Sequence, residues 1–217
     1  MLRVAIDGPG GAGKSTIAKL VAEKFNLDYV DTGAMYRAMA LKALNSGVDL
    51  KDEDEVKKLS EVTKIDFDGR DIILDGKDVS SYIRTQEVSM AASSISQYPC
   101  IREKVNALNK HMAETKNLVM DGRDIGTNVI KDAEVKIFLT ASAEERADRR
   151  FKQLEKSGVE SDYSKILEEI KERDYMDINR TLNPLAQADD AILLDTSNMN
   201  INEVVNYISS IILKVKK

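Results

Sequence analysis

The chain has 217 residues, of which 42% are hydrophobic and 32% are charged, and its formal net charge of −5 excludes a general electrostatic attraction to nucleic acid or anionic lipid. This balance favours one α/β core with room for an inserted subdomain, and because no apolar run approaches the roughly 18 residues of a membrane span, we expect a cytoplasmic protein without a membrane partner. The single cysteine, Cys100, and the single histidine, His111, exclude an internal disulfide and a Cys/His metal cluster.

The first predicted element is a strand over residues 2–7, and a helical pattern follows over residues 16–23. The segment between them matches the G-x-x-x-x-G-K-[ST] pattern of a phosphate-binding loop at every fixed position; it consists of Gly8, Pro9, Gly10, Gly11, Ala12, Gly13, Lys14 and Ser15. Glycines allow successive backbone N–H groups to point at one anion, and the helix N-terminus adds partial positive charge. The loop therefore predicts binding of a nucleoside triphosphate, with Lys14 on the β- and γ-phosphates and the Ser15 hydroxyl as a ligand of Mg²⁺. A glycine-rich turn that merely joins strand and helix is the alternative, and it would not require Lys14 and Ser15.

Further strands are predicted over residues 27–31, 117–121, 134–139 and 190–195, and helical patterns separate most of them. This alternation favours a P-loop NTPase core of the α/β class, with a parallel sheet flanked by helices. Two helix starts carry a capping residue followed three positions later by glutamate, namely Ser142 with Glu145 and Asn200 with Glu203.

The pattern changes between residues 62 and 98. There, residues 64–68 and 71–75, with Gly69 between them and Gly76 after, are typical of antiparallel strands and tight turns. We interpret residues 62–98 as a mixed α/β insertion into a single domain of residues 1–217.

Three arginines stand at i, i+3 and i+4 on the predicted helix that begins at residue 142: Arg146, Arg149 and Arg150. Their guanidinium groups can therefore converge on one helical face and clamp a phosphoryl group during transfer. A polar segment over residues 156–162 follows, typical of a mobile loop between two helices, so we expect a small lid over about residues 142–162. A solvated helix face paired with neighbouring glutamates fits the same spacing, and that alternative stays open.

An acidic residue, Asp121, ends the predicted strand 117–121. The carboxyl end of a core strand is where Mg²⁺ or its water shell meets a carboxylate in phosphate-loop enzymes, so Asp121 is a candidate metal residue, directly or through water. A plain strand-to-turn signal is the alternative. Further along, Arg173, Asp177 and Arg180 share a helical face, and taken alone they also fit a surface salt-bridge ladder.

Five separated segments follow the pattern of one family in order: residues 6–16, 31–37, 83–88, 121–127 and 172–180. The D-[ST]-G-A-x-Y-R and D-G-R-D-x-G-T segments are specific to that family, whereas the phosphate loop is shared with many unrelated enzymes. On these segments the chain resembles bacterial cytidylate kinases over nearly its whole length. The resemblance implies a nucleoside monophosphate kinase fold, with a core, a lid and a monophosphate-binding insertion, and it implies ATP with Mg²⁺ as donor and CMP or dCMP as acceptor.

The resemblance also implies roles for particular residues. ATP would bind at Gly8–Ser15 and at Thr16. The positions that match monophosphate-binding residues of the family are Thr32, Arg37, Ser93, Arg102, Arg123, Asp124, Arg173, Asp177 and Arg180. We expect catalytic contributions from Lys14, Arg123, Arg146, Arg149 and Arg150. The partners would then be small molecules, and we expect a monomer.

Cytosine chemistry agrees with these positions. The base presents an N4 amino donor and the N3 and O2 acceptors, and Asp124, Ser93 and Arg102 supply both kinds of partner. Uracil reverses the polarity at position 4, so a buried carboxylate left unpaired would reject it. The acceptor phosphate would be held by Arg37 and Arg123.

Two other classes of protein are less well supported by the residues. A GTP-dependent switch needs an Asn-Lys-x-Asp segment, but Asn109-Lys110 is followed by His111-Met112. Kinases of other small acceptors remain as the nearer alternative, although the Asp-Gly-Phe-Pro segment of adenylate kinases is absent from the sequence and the insertion is larger than shikimate kinases carry.

Overall fold

A computed structural model describes residues 1–68 and 71–215. The chain divides into two compact units: unit 1 comprises Met1–Tyr29 and Lys116–Lys217, and unit 2 comprises Val30–Thr115. The insertion predicted over residues 62–98 lies within unit 2, and Gly69, predicted in a turn, lies outside the described residues. In the part of the chain that the structure describes, none of the helices has both the length and the apolar character that a membrane crossing requires.

Strands and helices follow one another along the described residues. The strands are β1 (Arg3–Asp7), β2 (Asp28–Asp31), β3 (Ile65–Asp68), β4 (Asp71–Leu74), β5 (Lys77–Asp78), β6 (Leu118–Gly122), β7 (Val135–Thr140) and β8 (Ile192–Asp195). The helices are α1 (Lys14–Phe25), α2 (Thr32–Asn45), α3 (Glu53–Val62), α4 (Gln86–Ile95), α5 (Pro99–Thr115), α6 (Ala143–Lys156), α7 (Tyr163–Asn179) and α8 (Ile201–Val215). A 3-10 turn covers Tyr82–Arg84 and a π-helical turn covers Ile125–Val129.

The main sheet has five strands in the order β2-β6-β1-β7-β8. The pairs β1–β6, β1–β7 and β7–β8 are parallel, and β1 and β6 are almost completely buried, as their apolar runs predict. One face is covered by α1 and α8, whose apolar side chains pack on those of the central strands; this core contains Val4, Ile6, Ile17, Val21, Val119, Ile137, Val204 and Ile208. The predicted α/β architecture is therefore confirmed.

The register of the central strands separates two acidic side chains. Ile6 pairs with Asp121, so both point to the face that α1 covers. Because successive side chains of a strand alternate, Asp7 points to the opposite face. The carboxylates of Asp7 and Asp121, at the carboxyl ends of β1 and β6, thus lie on opposite faces of the sheet.

Side chains cap most helices where the sequence places a capping residue. The Ser142 hydroxyl accepts the N–H of Glu145 at 3.1 Å, and Asn200 and Glu203 accept each other's N–H groups at 3.1 and 2.8 Å. Both predicted helix starts are confirmed. Other side-chain caps begin four further helices, α2, α3, α4 and α7; they are Asp31, Asp52, Thr85 and Asp162.

Unit 2 contains a three-stranded antiparallel sheet, β3-β4-β5, and four helices. Asp75 and Gly76 join β4 to β5 with φ of 50° and 82°, the positive values that a tight two-residue hairpin turn requires. The antiparallel strands predicted within residues 62–98 are confirmed. Packing of α2 on α4 and α5 forms the core of the unit, with Met35, Met39, Ile95 and Ile101 fully buried.

The polar segment after residue 156 joins α6 to α7, as predicted. Its backbone is hydrogen-bonded to the end of α6: the N–H groups of Gly158 and Val159 donate to Glu155 and Leu154 at 3.0 Å each. Gly158 has φ of 70°, the left-handed conformation that commonly ends a helix. The mobility of this segment stays a prediction.

Candidate active site

The phosphate loop has a backbone conformation that depends on its glycines. Gly8 has φ of 145°, and a Cβ there would lie 1.9 Å from the carbonyl oxygen of Leu139 in β7. Gly13, with φ of 91°, is the N-cap residue of α1, and this helix receives no hydrogen bond from a capping side chain. The first-turn N–H groups of α1 therefore suit an anion, unlike those of the helices that side chains cap.

Lys14 adds a buried positive charge to this loop. Its Nζ donates to the carbonyl oxygen of Pro9 at 2.8 Å, and the residue is 5% exposed. Burial and the nearby Arg123 guanidinium hold the pKa of Lys14 well below its usual value, against the opposing effect of Asp121. A polyphosphate beside Nζ would favour the ammonium form, so the site is electrostatically suited to a strongly anionic ligand.

Oxygen ligands suitable for Mg²⁺ meet at the start of α1. The Ser15 hydroxyl donates to Oδ2 of Asp121 at 2.9 Å, and the Tyr29 hydroxyl donates to Oδ1 at 2.8 Å. Mg²⁺ prefers such hard oxygen donors and is commonly bound by one or two protein groups together with phosphates and water. Among the described residues no three His, Cys, Asp or Glu side chains are grouped to hold a metal. The Ser15 hydroxyl and the Asp121 carboxylate are oxygen donors of the kind that hold a nucleotide-bound ion. Tyr29 was not singled out by the sequence pattern.

Charged side chains that the family pattern assigns to the monophosphate form an ion-pair cluster within unit 1. Arg123 Nε donates to Asp177 at 2.7 Å, and Arg180 donates to Asp124 at 3.2 Å and lies 3.7 Å from Asp177. Burial alone would raise the pKa of Asp177, but the guanidinium groups of Arg123 and Arg173 hold it below its usual value. Burial would also lower the pKa of Arg123, and its attraction to Asp177 raises it instead. The spacing of Arg173, Asp177 and Arg180 is therefore that of a buried network, which corrects the surface-ladder alternative.

This cluster lies against the phosphate loop. A Cβ on Gly10 would lie 3.3 Å from Nη2 of Arg123 and 3.6 Å from Nε of Arg173. A glycine at position 10 therefore leaves room for two guanidinium groups next to the loop. Within unit 1, the structure brings together the loop, Lys14 and the arginines of the cluster.

The three arginines of α6 have separate partners. Arg146 is 4% exposed and donates to the carbonyl oxygen of Gly10 at 2.9 Å and to both oxygens of Asp174 at 3.0 and 2.5 Å. Arg149 donates to the Thr196 carbonyl at 2.9 Å, and Arg150 donates to Gln153 at 3.1 Å. The convergence expected from their spacing is thus not the arrangement in this structure, because long side chains on one face can end at different partners. Their catalytic roles stay a prediction.

Asp7 is a buried acidic residue that the motif analysis did not assign to the site. Its two carboxylate oxygens accept the N–H groups of Ile125 and Gly126 at 2.8 and 2.7 Å. Burial raises the pKa of Asp7 to about 6, although the two N–H groups lower it. Its position directly before Gly8 was the available signal, but no spacing rule connects it to residues 125 and 126.

The remaining family positions lie in unit 2. Arg37 donates to Asp31 at 2.9 Å, and Arg84, half exposed, lies 3.4 Å from the same oxygen of Asp31. Buried Arg102 lies over the ring of Tyr36, at 5.7 Å, and donates to the Ser96 carbonyl at 3.2 Å. Thr32 is buried at the start of α2, and the Ser93 hydroxyl donates to Ser89 in α4 at 3.3 Å. Unit 2 therefore offers guanidinium and hydroxyl groups for an anionic ligand, and the Asp31 carboxylate pairs with two of the guanidinium groups.

Comparison with known proteins identifies relatives over nearly the whole chain. The family model described as cytidylate kinase matches residues 4–214. A cytidylate kinase of Clostridium botulinum is 48% identical over 211 residues, covering 97% of each chain. Another, of Caldicellulosiruptor saccharolyticus, is 48% identical over 221 aligned positions, covering 99% of this chain and 96% of that protein.

Solved structures are similar in fold at much lower identity. A shikimate kinase of Bacteroides thetaiotaomicron has a TM-score of 0.51 at 12% identity and covers 98% of both chains. A gluconokinase of Sinorhizobium meliloti has a TM-score of 0.50 at 13% identity, with 99% of this chain and 93% of that one covered. These likenesses show the fold alone, which is that of small kinases.

Proposed function

The chain belongs to the cytidylate kinase family, and from that premise we propose that it transfers the γ-phosphoryl group of ATP to CMP or dCMP, giving ADP and CDP or dCDP. The single observation that carries the proposal is the family match over residues 4–214, which contains the phosphate loop and both family-specific segments.

ATP is assigned to the phosphate loop and Thr16. The uncapped N-terminus of α1 and the buried Lys14 support this, because both oppose the charge of the β- and γ-phosphates. Mg²⁺, when bound through Ser15 and Asp121, supplies further charge neutralisation between the phosphates. The hydrogen bonds from Ser15 and Tyr29 to Asp121 support that assignment, since they orient both oxygens of the carboxylate.

The family pattern assigns CMP or dCMP to nine residues, namely Thr32, Arg37, Ser93, Arg102, Arg123, Asp124, Arg173, Asp177 and Arg180. Guanidinium groups match phosphate oxygens in bidentate geometry, which favours Arg37 and Arg123 as the ligands of the acceptor phosphate. A carboxylate, a hydroxyl and a guanidinium group together complement the edge of cytosine, which favours Asp124, Ser93 and Arg102 as the groups that read the base.

The reaction requires no general base, because the attacking oxygen of the CMP phosphate is already anionic. Catalysis then depends on alignment of the two phosphates and on stabilisation of the charge in transfer. Arg123 is a candidate for both tasks, since its guanidinium group lies against Gly10 of the loop while Asp177 holds its Nε. Arg146 has the same proximity to the loop through its bond to the Gly10 carbonyl.

A substrate panel tests the proposal. Initial rates with Mg-ATP are measured by a coupled ADP assay for CMP, dCMP, UMP, AMP and GMP at matched concentrations. We expect the specificity constant to be highest for CMP or dCMP, because the assigned carboxylate accepts a hydrogen bond from N4 of cytosine and cannot donate to O4 of uracil. Faster turnover of AMP or UMP than of CMP would refute the assignment.

A further inference from the structure

One buried side chain, that of Asp7, accepts hydrogen bonds from the backbone of the π-helical turn Ile125–Val129. We propose that Asp7 is a positioning residue that fixes Arg123 and Asp124 for the acceptor nucleotide by anchoring the two peptide groups that follow them. The inference rests on the proposed function, since it takes Arg123 and Asp124 to contact CMP.

The carboxylate of Asp7 acts as a two-pronged acceptor. One oxygen takes the N–H of Ile125 at 2.8 Å and the other takes the N–H of Gly126 at 2.7 Å, while the residue is 5% exposed. Hydrogen bonds to an ionised acceptor are roughly twice as strong as neutral ones, and burial protects them from competition with water. The two donors come directly after Asp124, so a carboxylate fixed on β1 limits how far this part of the chain can move.

A second side chain from the same face of the sheet, that of Lys136 in β7, also borders the turn. A Cβ on Gly126 would lie 3.1 Å from Cδ of Lys136 and 3.4 Å from Oδ2 of Asp7. Lys136 is itself fixed, because its Nζ donates to both oxygens of Asp190 at 2.9 and 2.8 Å and to the carbonyl of Lys131. Residue 126 therefore lies against both side chains, and a Cβ there would require a neighbour to shift by a few tenths of an ångström.

A residue of this π-helical turn orients the Asp124 side chain. Asn128, within the turn, donates from its side chain to Oδ2 of Asp124 at 3.3 Å and from its backbone to the Asp124 carbonyl at 3.0 Å. Arg180 donates to the other carboxylate oxygen at 3.2 Å. If the turn moved, the hydrogen bond from Asn128 to Asp124 would be lost, and the Asp124 carboxylate would be oriented by Arg180 alone. Substitution of Asp7 should therefore change the orientation of the carboxylate that we propose to bind cytosine.

The face on which Asp7 lies makes the effect selective. Asp121 and Ser15 lie on the α1 face, whereas the contacts of Asp7 are with residues 125 and 126 on the opposite face. Loss of the Asp7 anchor should therefore weaken binding of the acceptor more than binding of ATP, since the link between Asp7 and the ATP side is the charge of Lys14 and not a hydrogen bond.

The experiment replaces Asp7 with asparagine, whose amide nitrogen cannot accept an N–H. Affinities for CMP without ATP, and for Mg-ATP without CMP, are measured by calorimetry on the intact chain, together with the CMP:UMP ratio of specificity constants. For Asp7→Asn we expect the Kd for CMP to rise about tenfold, as for loss of one hydrogen bond to a charged group, with the Kd for Mg-ATP within about threefold of wild type and a reduced CMP:UMP ratio. Hydrogen exchange should accelerate at the amides of residues 125 and 126 and stay unchanged in β7.

Two further variants control the result. Glu134→Gln alters a carboxylate that accepts the Arg3 N–H at 2.7 Å at the other end of β1, and it should leave both affinities unchanged. Gly126→Ala displaces the same turn without altering Asp7, so it should reproduce the selective loss of CMP affinity and carries the test if Asp7→Asn does not fold.

Equal losses for both nucleotides, or an unchanged CMP affinity in the folded variants, would overturn the inference. A wild-type protein that neither binds nor phosphorylates CMP would instead overturn the proposed function, and faster exchange at residues 125 and 126 in Asp7→Asn would still report the anchor.

Discussion

The buried carboxyl group of Asp7 predicts a pH dependence of stability that a single substitution removes. Its pKa is raised from 3.8 to about 6, mainly by burial and further by the charge of Asp124, while the N–H groups of Gly126 and Ile125 and the charge of Lys14 lower it. The folded protein binds this proton more tightly than the unfolded chain does, so protonation of Asp7 increases the free energy of unfolding. This stabilisation is complete below about pH 4 and is lost as pH rises through about 6. The two pKa values correspond to a loss of about 3 kcal/mol, roughly half of it between pH 5 and pH 8.

The asparagine of Asp7→Asn does not titrate in this range, so the stability of the variant should not show the loss between pH 5 and pH 8 that is due to Asp7. Free energies of unfolding are measured for both proteins by urea titration at pH 5, 6, 7 and 8 at constant ionic strength, with far-ultraviolet circular dichroism as the signal. The stability of Asp7→Asn relative to wild type should rise by roughly 1–2 kcal/mol from pH 5 to pH 8. A relative stability that is constant or falls over this range would refute the reasoning.

Glu134→Gln provides the matched comparison for this measurement. Burial would raise the pKa of Glu134, but its hydrogen bonds with Arg3 lower it below 4.5. A depressed pKa contributes stability above the unfolded value and loses it only as pH falls through the folded value. The relative stability of Glu134→Gln should therefore be nearly flat between pH 5 and pH 8.

Four further predictions concern the site and its loop. Lys14→Ala should lower kcat/KM in the coupled assay by on the order of a hundredfold to a thousandfold, as loss of a charge that acts on the transferring group does. Asp124→Asn should reduce the CMP:UMP ratio of specificity constants, because a rotated amide can donate to O4 of uracil. Expressed as a free energy of discrimination, the reduction should be about 1–3 kcal/mol. Hydrogen exchange over about residues 142–162 should slow when both nucleotides are bound, and Arg149→Ala should lower kcat more than it raises the KM for CMP. Gly8→Ala should prevent stable folding in a thermal melt, since its Cβ would overlap the Leu139 carbonyl at 1.9 Å.

Two of these have a control variant within the chain. Lys24, at the far end of the same helix, donates to Asn206 at an exposed position, so Lys24→Ala should retain full activity. Gly158 also has positive φ, but a Cβ there would have open space, so Gly158→Ala should cost only about 1 kcal/mol. An unchanged CMP:UMP ratio in Asp124→Asn would assign recognition of position 4 to another residue. Equal exchange over residues 142–162 with and without nucleotides, together with wild-type turnover of Arg149→Ala, would refute the lid.

The parts of the fold that local chemistry determines were predictable from the sequence. The phosphate loop follows from glycines that only one backbone path accommodates, and the buried parallel strands follow from short apolar runs. The helix starts at Ser142 and Asn200 depend on hydrogen bonds three residues apart, so a pattern in the sequence is sufficient to find them.

Long-range partners were not predictable in the same way. Helical spacing fixes where the Cβ atoms of the α6 arginines point, but the end of a long side chain depends on partners elsewhere in the chain. Arg146 reaches Asp174, and Tyr29 reaches Asp121, across 28 and 92 positions. Asp7 and Gly126 are separated by 119 positions. Such pairs can be predicted only when the tertiary fold, including the order of the strands, is known.

The central place of β1 in the sheet affects how the chain is made. Residues 3–7 emerge from the ribosome early, but their strand partners, β6 and β7, begin only at residues 118 and 135. At about 5–20 residues per second, β1 and the phosphate loop wait on the order of ten seconds for those partners, while residues 30–115 are completed as a compact unit of their own. The nucleotide site is therefore among the last features to assemble during synthesis. A nascent chain stalled before β7 would expose an apolar strand and a loop without the sheet that supports it, and such unpaired strands are prone to aggregation.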